Sequence, residues 1–126
     1  MTKINSFRDL LVWQKAMDLA VRTYKTAQRL PKAEQLVLGY QLRKSSLSIP
    51  SNIAEGFSRH SRPAYINHLW IAHASGAELE TQVELGRLVE LIEPRVMEML
   101  IDDSQEIGRM LNGLVNSLEL SASEKS

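Results

Sequence analysis

An all-α fold, an antiparallel up-down-up-down bundle of four helices, is predicted by three observations in this 126-residue chain. Apolar residues recur at alternating spacings of three and four through four long segments. Pro31, Pro63 and Pro94 fall where those segments join. No run alternates apolar and polar residues with the period of two that a half-buried strand shows. Short joints between long amphipathic helices make successive helices antiparallel. The length suits a single domain over residues 1–126, with an ordered core over about 7–119 and a polar tail at 121–126 expected to be disordered.

Helix one is expected from about Phe7 to Gln28. Ser6, with Asp9 three residues later, reads as an N-cap followed by an acid in the first turn. Leu10, Trp13, Met17, Ala20, Tyr24 and Ala27 make a heptad seam, which Phe7, Leu11 and Val21 widen into a face that should bury Trp13 and Tyr24. Pro31 ends this helix and stands at the entrance to the next, with Glu34 near its positive end.

Helix two should run to about Arg59, and its stretch from Gln41 to Arg59, QLRKSSLSIPSNIAEGFSR, is the one around which the others are organised. Pro50 lacks a backbone donor and clashes one turn back, at a cost of about 3 kcal/mol, so the helix must kink or restart there. Leu36, Tyr40, Leu47, Ala54 and Phe57 form one stripe, and Leu42, Ile49 and Ile53 its neighbour. Both keep helical spacing across the proline, which favours one helix with a Pro50 kink. In the alternative, Asn52 is an N-cap, Glu55 closes a capping box, and a fresh helix starts inside the motif.

Between His60 and Pro63 the chain should turn, with Ser61 as N-cap and Pro63 in the first turn of helix three. Tyr65, Leu69, Ala72, Gly76, Leu79, Val83 and Gly86 form its seam, and the small members imply close approach of another helix. Helix three is expected to end near Ile92. Glu93 and Pro94 restart the chain, and Met97, Leu100, Ser104, Ile107, Leu111, Leu114 and Leu118 give the fourth seam.

A net charge of zero conceals an asymmetry. Through Arg62 eleven Lys and Arg face four acids, a balance of +7, and the remainder carries four bases against eleven acids, a balance of −7. Basic helices lying against acidic ones, within or between subunits, account for this better than nucleic-acid binding, which usually goes with a net basic excess. The chain has no cysteine, which excludes disulfides, thiol catalysis and cysteine metal sites. Its first ten residues lack a signal-peptide pattern, and no apolar run approaches the roughly 18 residues of a membrane span. A soluble, cytoplasmic protein without membrane contact is expected.

Few residues offer chemistry. Glu-x-x-His pairs, which put two metal ligands on one helix face, are absent, and His68 and His73 are five apart. No metal or cofactor is therefore expected. Asn52 and Glu55 share a face and could in principle orient a substrate and act as general base. The favoured reading makes them structural, bonding backbone groups loosened by Pro50 or a neighbouring helix. Catalytic residues are therefore none, and Ser48, Pro50, Asn52, Glu55 and Gly56 form a structural polar motif. Arg59, His60 and Arg62 cluster at the turn between helices two and three. Together with Arg43 and Lys44, about four turns away, they are the candidates for following a phosphate backbone.

The Phe and Leu that open helix one, Leu-Pro-x-x-Glu before helix two, the stretch from Gln41 to Gly56, Tyr65 and Gly76 to Thr81 together resemble the 23S ribosomal RNA intervening-sequence protein family. The likeness spans about Phe7 to Leu118, and Ser48 to Gly56 is its most specific part. It implies a four-helix bundle and a ring-shaped homopentamer. The family is also related to the accessory variability determinant of diversity-generating retroelements, which binds RNA and a reverse transcriptase. Most members have no established activity. A non-enzymatic bundle that partners itself is thus expected, with RNA or a nucleic-acid enzyme as the alternative partner. A head-to-tail ring uses two different patches per subunit, which halves of opposite charge would supply.

Overall fold

The computed structural model of the protein describes residues 3–124. Four helices make up the fold: α1 (Leu11–Gln28), α2 (Leu38–Phe57), α3 (Arg62–Leu88) and α4 (Pro94–Glu124). No strand occurs among the described residues. Cross-links between helices run in opposite sequence order. Ser45, Ser48 and Asn52 meet Gln82, Ser75 and His68 between α2 and α3. Lys15 and Arg22 meet Glu106 and Asp103 between α1 and α4. Sequential helices are therefore antiparallel neighbours, and α4 closes the bundle against α1.

The helix starts follow local capping chemistry, with two displacements from the sequence expectation. Ser6 and Asp9 form a complete capping box, in which the Asp9 carboxylate accepts from the Ser6 amide at 3.1 Å. That box caps a single 3-10 turn, Phe7–Asp9. Leu10 is then extended, and α1 begins only at Leu11. The Gln14 amide fixes this break by donating to the Arg8 carbonyl at 2.8 Å.

Pro31 likewise opens a 3-10 turn, Lys32–Glu34, and α2 begins at Leu38. The Gln35 side chain explains the delay. It donates to the carbonyls of Ala27 and Leu30 at 2.9 and 2.8 Å, satisfying acceptors that the end of α1 leaves open.

Within α2 the helix continues without interruption through Pro50, so no fresh helix starts at Asn52. α3 begins as expected, with the Ser61 hydroxyl accepting from the Ala64 amide at 3.2 Å. It ends at Leu88, earlier than Ile92, because Glu90 adopts a φ of 64° and turns the chain. The amides of Leu91 and Ile92 then both donate to the Gly86 carbonyl. Helix α4 extends to Glu124, so residues 121–124 of the expected disordered tail are helical, while 125 and 126 lie outside the described residues.

The core differs from expectation in the first two helices. In α1 the buried stripe is Val12, Ala16, Leu19, Thr23 and Ala27, with Ala20 beside it. Met17 and Tyr24 of the expected seam are exposed, and Trp13 is only half-buried. In α2 the stripe of Leu42, Ile49 and Ile53 faces inward, whereas Leu36, Tyr40 and Leu47 of its neighbour are exposed. Helix axes packed about 8–10 Å apart need small side chains at the contact, and α1 supplies three alanines there. The expected seams of α3 and α4 hold at Leu69, Ala72, Gly76, Leu79, Val83, Gly86, Leu100, Ser104, Ile107 and Leu111.

Candidate functional site

The motif around Pro50 forms a polar seam between α2 and α3. Ser75 donates its hydroxyl hydrogen to the Ile71 carbonyl at 3.0 Å. Its oxygen therefore accepts from Ser48, 2.8 Å away. The Asn52 amide group donates to the Ser48 hydroxyl at 3.0 Å and to the Ser48 carbonyl at 2.8 Å. A carbonyl can only accept, so the Asn52 nitrogen is on that side and its oxygen faces His68 Nδ1 at 3.1 Å. His68 must carry its hydrogen on Nδ1. The result is a one-way chain of donors, His68 to Asn52 to Ser48 to Ser75 to the backbone of α3.

Close approach makes the chain possible. A Cβ at Gly56 would stand 2.8 Å from His68 Cβ and 3.1 Å from the Tyr65 ring, so α3 reaches α2 only because residue 56 has no side chain. Tyr65 packs edge-on against Phe57 beside that contact, and burial pushes its phenol pKa up.

Ser48, Asn52 and Gly56 all stand at the α2–α3 contact, and Pro50 is buried inside α2. Glu55 stands at its edge. Its carboxylate is exposed, pairs with Arg59 one turn on at 2.9 Å, and lies 3.9 Å from His68 Nε2. It bonds no backbone group loosened by the proline. The partners of Ser48 and Asn52, the buried Ser75 and the half-buried His68, were not part of the sequence motif. Only their antiparallel register against Ser48 and Asn52 brings them in.

Chemically, the seam is a lock. Each hydroxyl and amide hydrogen in it has an acceptor, and among the described residues no buried side-chain polar atom lacks a partner. A crevice of about 290 Å³ does open nearby, but it lies between α3 and α4. Ile49 reaches its floor, whereas Asn52 and Glu55 do not line it. Among the described residues no group of three His, Asp or Glu stands together as a metal would need.

The basic candidates divide into two locations. Arg59, His60 and Arg62 stand together at the α2–α3 turn, with Arg59 engaged by Glu55. Lys44 is exposed some four turns away, its ammonium 6.0 Å from the centre of the Tyr40 ring. Arg43 is half-buried and committed to the chain itself, donating to the Gln35 carbonyl at 2.6 Å and to its side-chain oxygen at 3.3 Å. Beside Arg62 lies a shallow groove formed with Pro63, Ile66, Asn67, Trp70 and Glu119, where the indole is exposed.

One unpartnered feature among the described residues is apolar. Lys15 and Arg22 mark the shoulder of α1 that faces α4, so Met17, Val21 and Tyr24 occupy the shoulder beside α2. Ser45, Ser48 and Asn52 mark the α3 side of α2, leaving Tyr40 and Leu47 on the shoulder beside α1. Both rows therefore flank one groove, and their five side chains are between 38% and 50% exposed.

The fold and this seam define a class: an all-α four-helix bundle in which the polar motif of the second helix fastens it to the third. The chain belongs to the 23S rRNA-intervening sequence protein family, whose model matches residues 8–113. It is similar to a protein of unknown function from the S23 ribosomal protein family of Bacteroides thetaiotaomicron, known from a crystal structure. The TM-score is 0.79 at 31% identity, over 84% of this chain and 96% of that one. No curated protein matches the chain. Among the described residues, no helix is long and apolar enough to cross a membrane.

Proposed function

We propose that this is a non-enzymatic, cytoplasmic scaffold that associates with copies of itself through the α1–α2 face. The resemblance in sequence points to a ring-shaped homopentamer as the assembly. The observation that carries the reading is the double row of Met17, Val21, Tyr24, Tyr40 and Leu47, large apolar side chains left in water at helical spacing. Contiguous patches of this kind mark interaction surfaces. A second copy suits this one because it is flanked by bases such as Lys25 and Lys44, while α3 and α4 carry the acidic excess.

Light scattering at micromolar concentration, at low and high salt, should give an oligomer. A monomer under both conditions removes the reading. Val21→Glu with Leu47→Glu, both on exposed positions, should give a folded monomer by circular dichroism.

A second reading, RNA binding, is favoured by one feature, the groove that sets exposed Trp70 beside Arg62 near Arg59 and His60. Unpaired bases stack on such aromatic and guanidinium planes. It fits the relation to retroelement accessory determinants that the sequence resemblance suggests. Binding to single-stranded RNA should then fall steeply with salt and weaken in Trp70→Ala. No binding at low salt ends this reading and leaves self-association intact.

A further inference from the structure

We infer that the crevice between α3 and α4 is the receiving half of the self-association, filled by Tyr40 of a second copy with Lys44 of that copy set against Glu80. This rests on the proposed association through the α1–α2 face and adds the surface it meets. A face that presents projecting side chains needs a concave partner, and when the two are different patches of one chain the contact is head-to-tail.

The crevice has the required shape. Ile49, Ala72, Ile107 and Leu111 line it, so its floor reaches the apolar core. At Gly76 the helices touch, since a Cβ there would come 3.1 Å from the Ser104 hydroxyl. Gly108 is different. A Cβ at that position would meet only the His73 ring, at 3.5 and 3.8 Å, which is ordinary contact. Glycine is disfavoured in a helix interior, and nothing within the single chain requires it at position 108. What its missing side chain leaves is space.

Chemistry agrees with shape. Glu80 is held by the Ser104 hydroxyl at 2.8 Å and the Gln105 amide at 3.4 Å, a positioned carboxylate at the crevice wall. Glu84, one turn beyond Glu80, and Asp102 and Glu98, one and two turns before Gln105, add acidic residues along the same two helices toward one end of the crevice, while Arg109 lines its other end. The ammonium of Lys44 lies 6.0 Å from the centre of the Tyr40 ring, so one turn of α2 presents an aromatic ring and a cation together. A buried phenol needs a hydrogen-bond partner, and His73 and Asn112 line the same crevice.

The test uses two variants of the full chain. Gly108→Leu fills the crevice, and Tyr40→Ala removes the projection from an exposed position. Each alone should weaken association at least tenfold by light scattering, with the helical circular dichroism signal unchanged. Mixed in equal amounts they should form a one-to-one dimer and nothing larger, because each retains the patch the other lacks. An oligomer in Gly108→Leu identical to the parent overturns the crevice assignment while self-association stands, as does a mixture that remains monomeric. A monomeric parent overturns both. Should Gly108→Leu fail to fold, Tyr40→Ala decides, and parent-like assembly in that variant refutes the inference.

Discussion

Two glycines show how differently one residue type is used in this bundle. Gly56 lies where α2 and α3 are in contact, and a methyl group there would overlap His68 Cβ at 2.8 Å. Neither helix can retreat without pulling the Asn52–His68 bond apart. Gly56→Ala should therefore destabilise the fold by about 1–3 kcal/mol in urea denaturation, the usual cost of overpacking. Gly113 has nothing within 4 Å of its Cβ position, on the exposed side of α4. Gly113→Ala should raise stability, by up to about 1 kcal/mol, because only the helix propensity changes. Equal effects in the two variants would refute the assignment of Gly56 to helix contact.

The junction between α1 and α2 depends on two side chains, Gln35 and Arg43, whose bonds to the chain itself are not visible in the sequence. Gln35 satisfies the carbonyls of Ala27 and Leu30, and Arg43 reaches back eight residues, from within α2, to hold the Gln35 backbone and side chain. Arg43 thus binds the start of α2 to the end of α1, and its neighbour Lys44 does not. Arg43→Ala should cost about 1.5–3 kcal/mol, the scale of a hydrogen bond to a charged group, while Lys44→Ala should leave the midpoint of thermal unfolding nearly unchanged. The comparison also bears on nucleic-acid binding. Loss of RNA affinity in Arg43→Ala would report a damaged junction, so Lys44, Arg59 and Arg62 are the informative positions.

Across the whole molecule, the first and last helices are joined by ion pairs rather than by a connecting loop. Lys15 bonds Glu106 at 2.8 Å, and Arg22 pairs with Asp103. The lysine holds the Glu106 carboxyl below its ordinary range through a hydrogen bond and its charge, and the carboxylate raises the Lys15 ammonium in return. A lowered carboxyl stabilises the fold above its unfolded value, near pH 4.3, and that contribution is lost as pH falls through the lowered value. The raised lysine contributes below its own ordinary value and loses that contribution as pH rises through the raised one. Both groups meet solvent, so the effect is modest and weakened by salt. Thermal unfolding followed from about pH 2 to pH 7 should show a smaller acid-side decline in Glu106→Gln than in the parent. Coincident curves would show that the pair adds nothing.

By itself the sequence determined that there are four helices, where α3 starts, and which face of α3 and α4 turns inward. Those features depend on local matters: the spacing of Leu79 and Val83, the Ser61 cap, the prolines at the joints. It also marked Ser48, Asn52 and Gly56 as a group, because polar and small residues inside an apolar stripe need partners. Only the tertiary structure decided which of two adjacent stripes in α1 and α2 is core. Met17 and Tyr24 offer more apolar area to bury than Ala16, but a helix contact is limited by backbone separation, and Ala16 fits where a larger side chain would hold α1 away. The partners of the polar group, Ser75 and His68, likewise follow from the antiparallel register of α3 against α2, a distance in space that no local pattern encodes. The apolar rows left outside and the opening beside Gly108 have the same origin, since both are set by how whole helices rotate and approach when they pack.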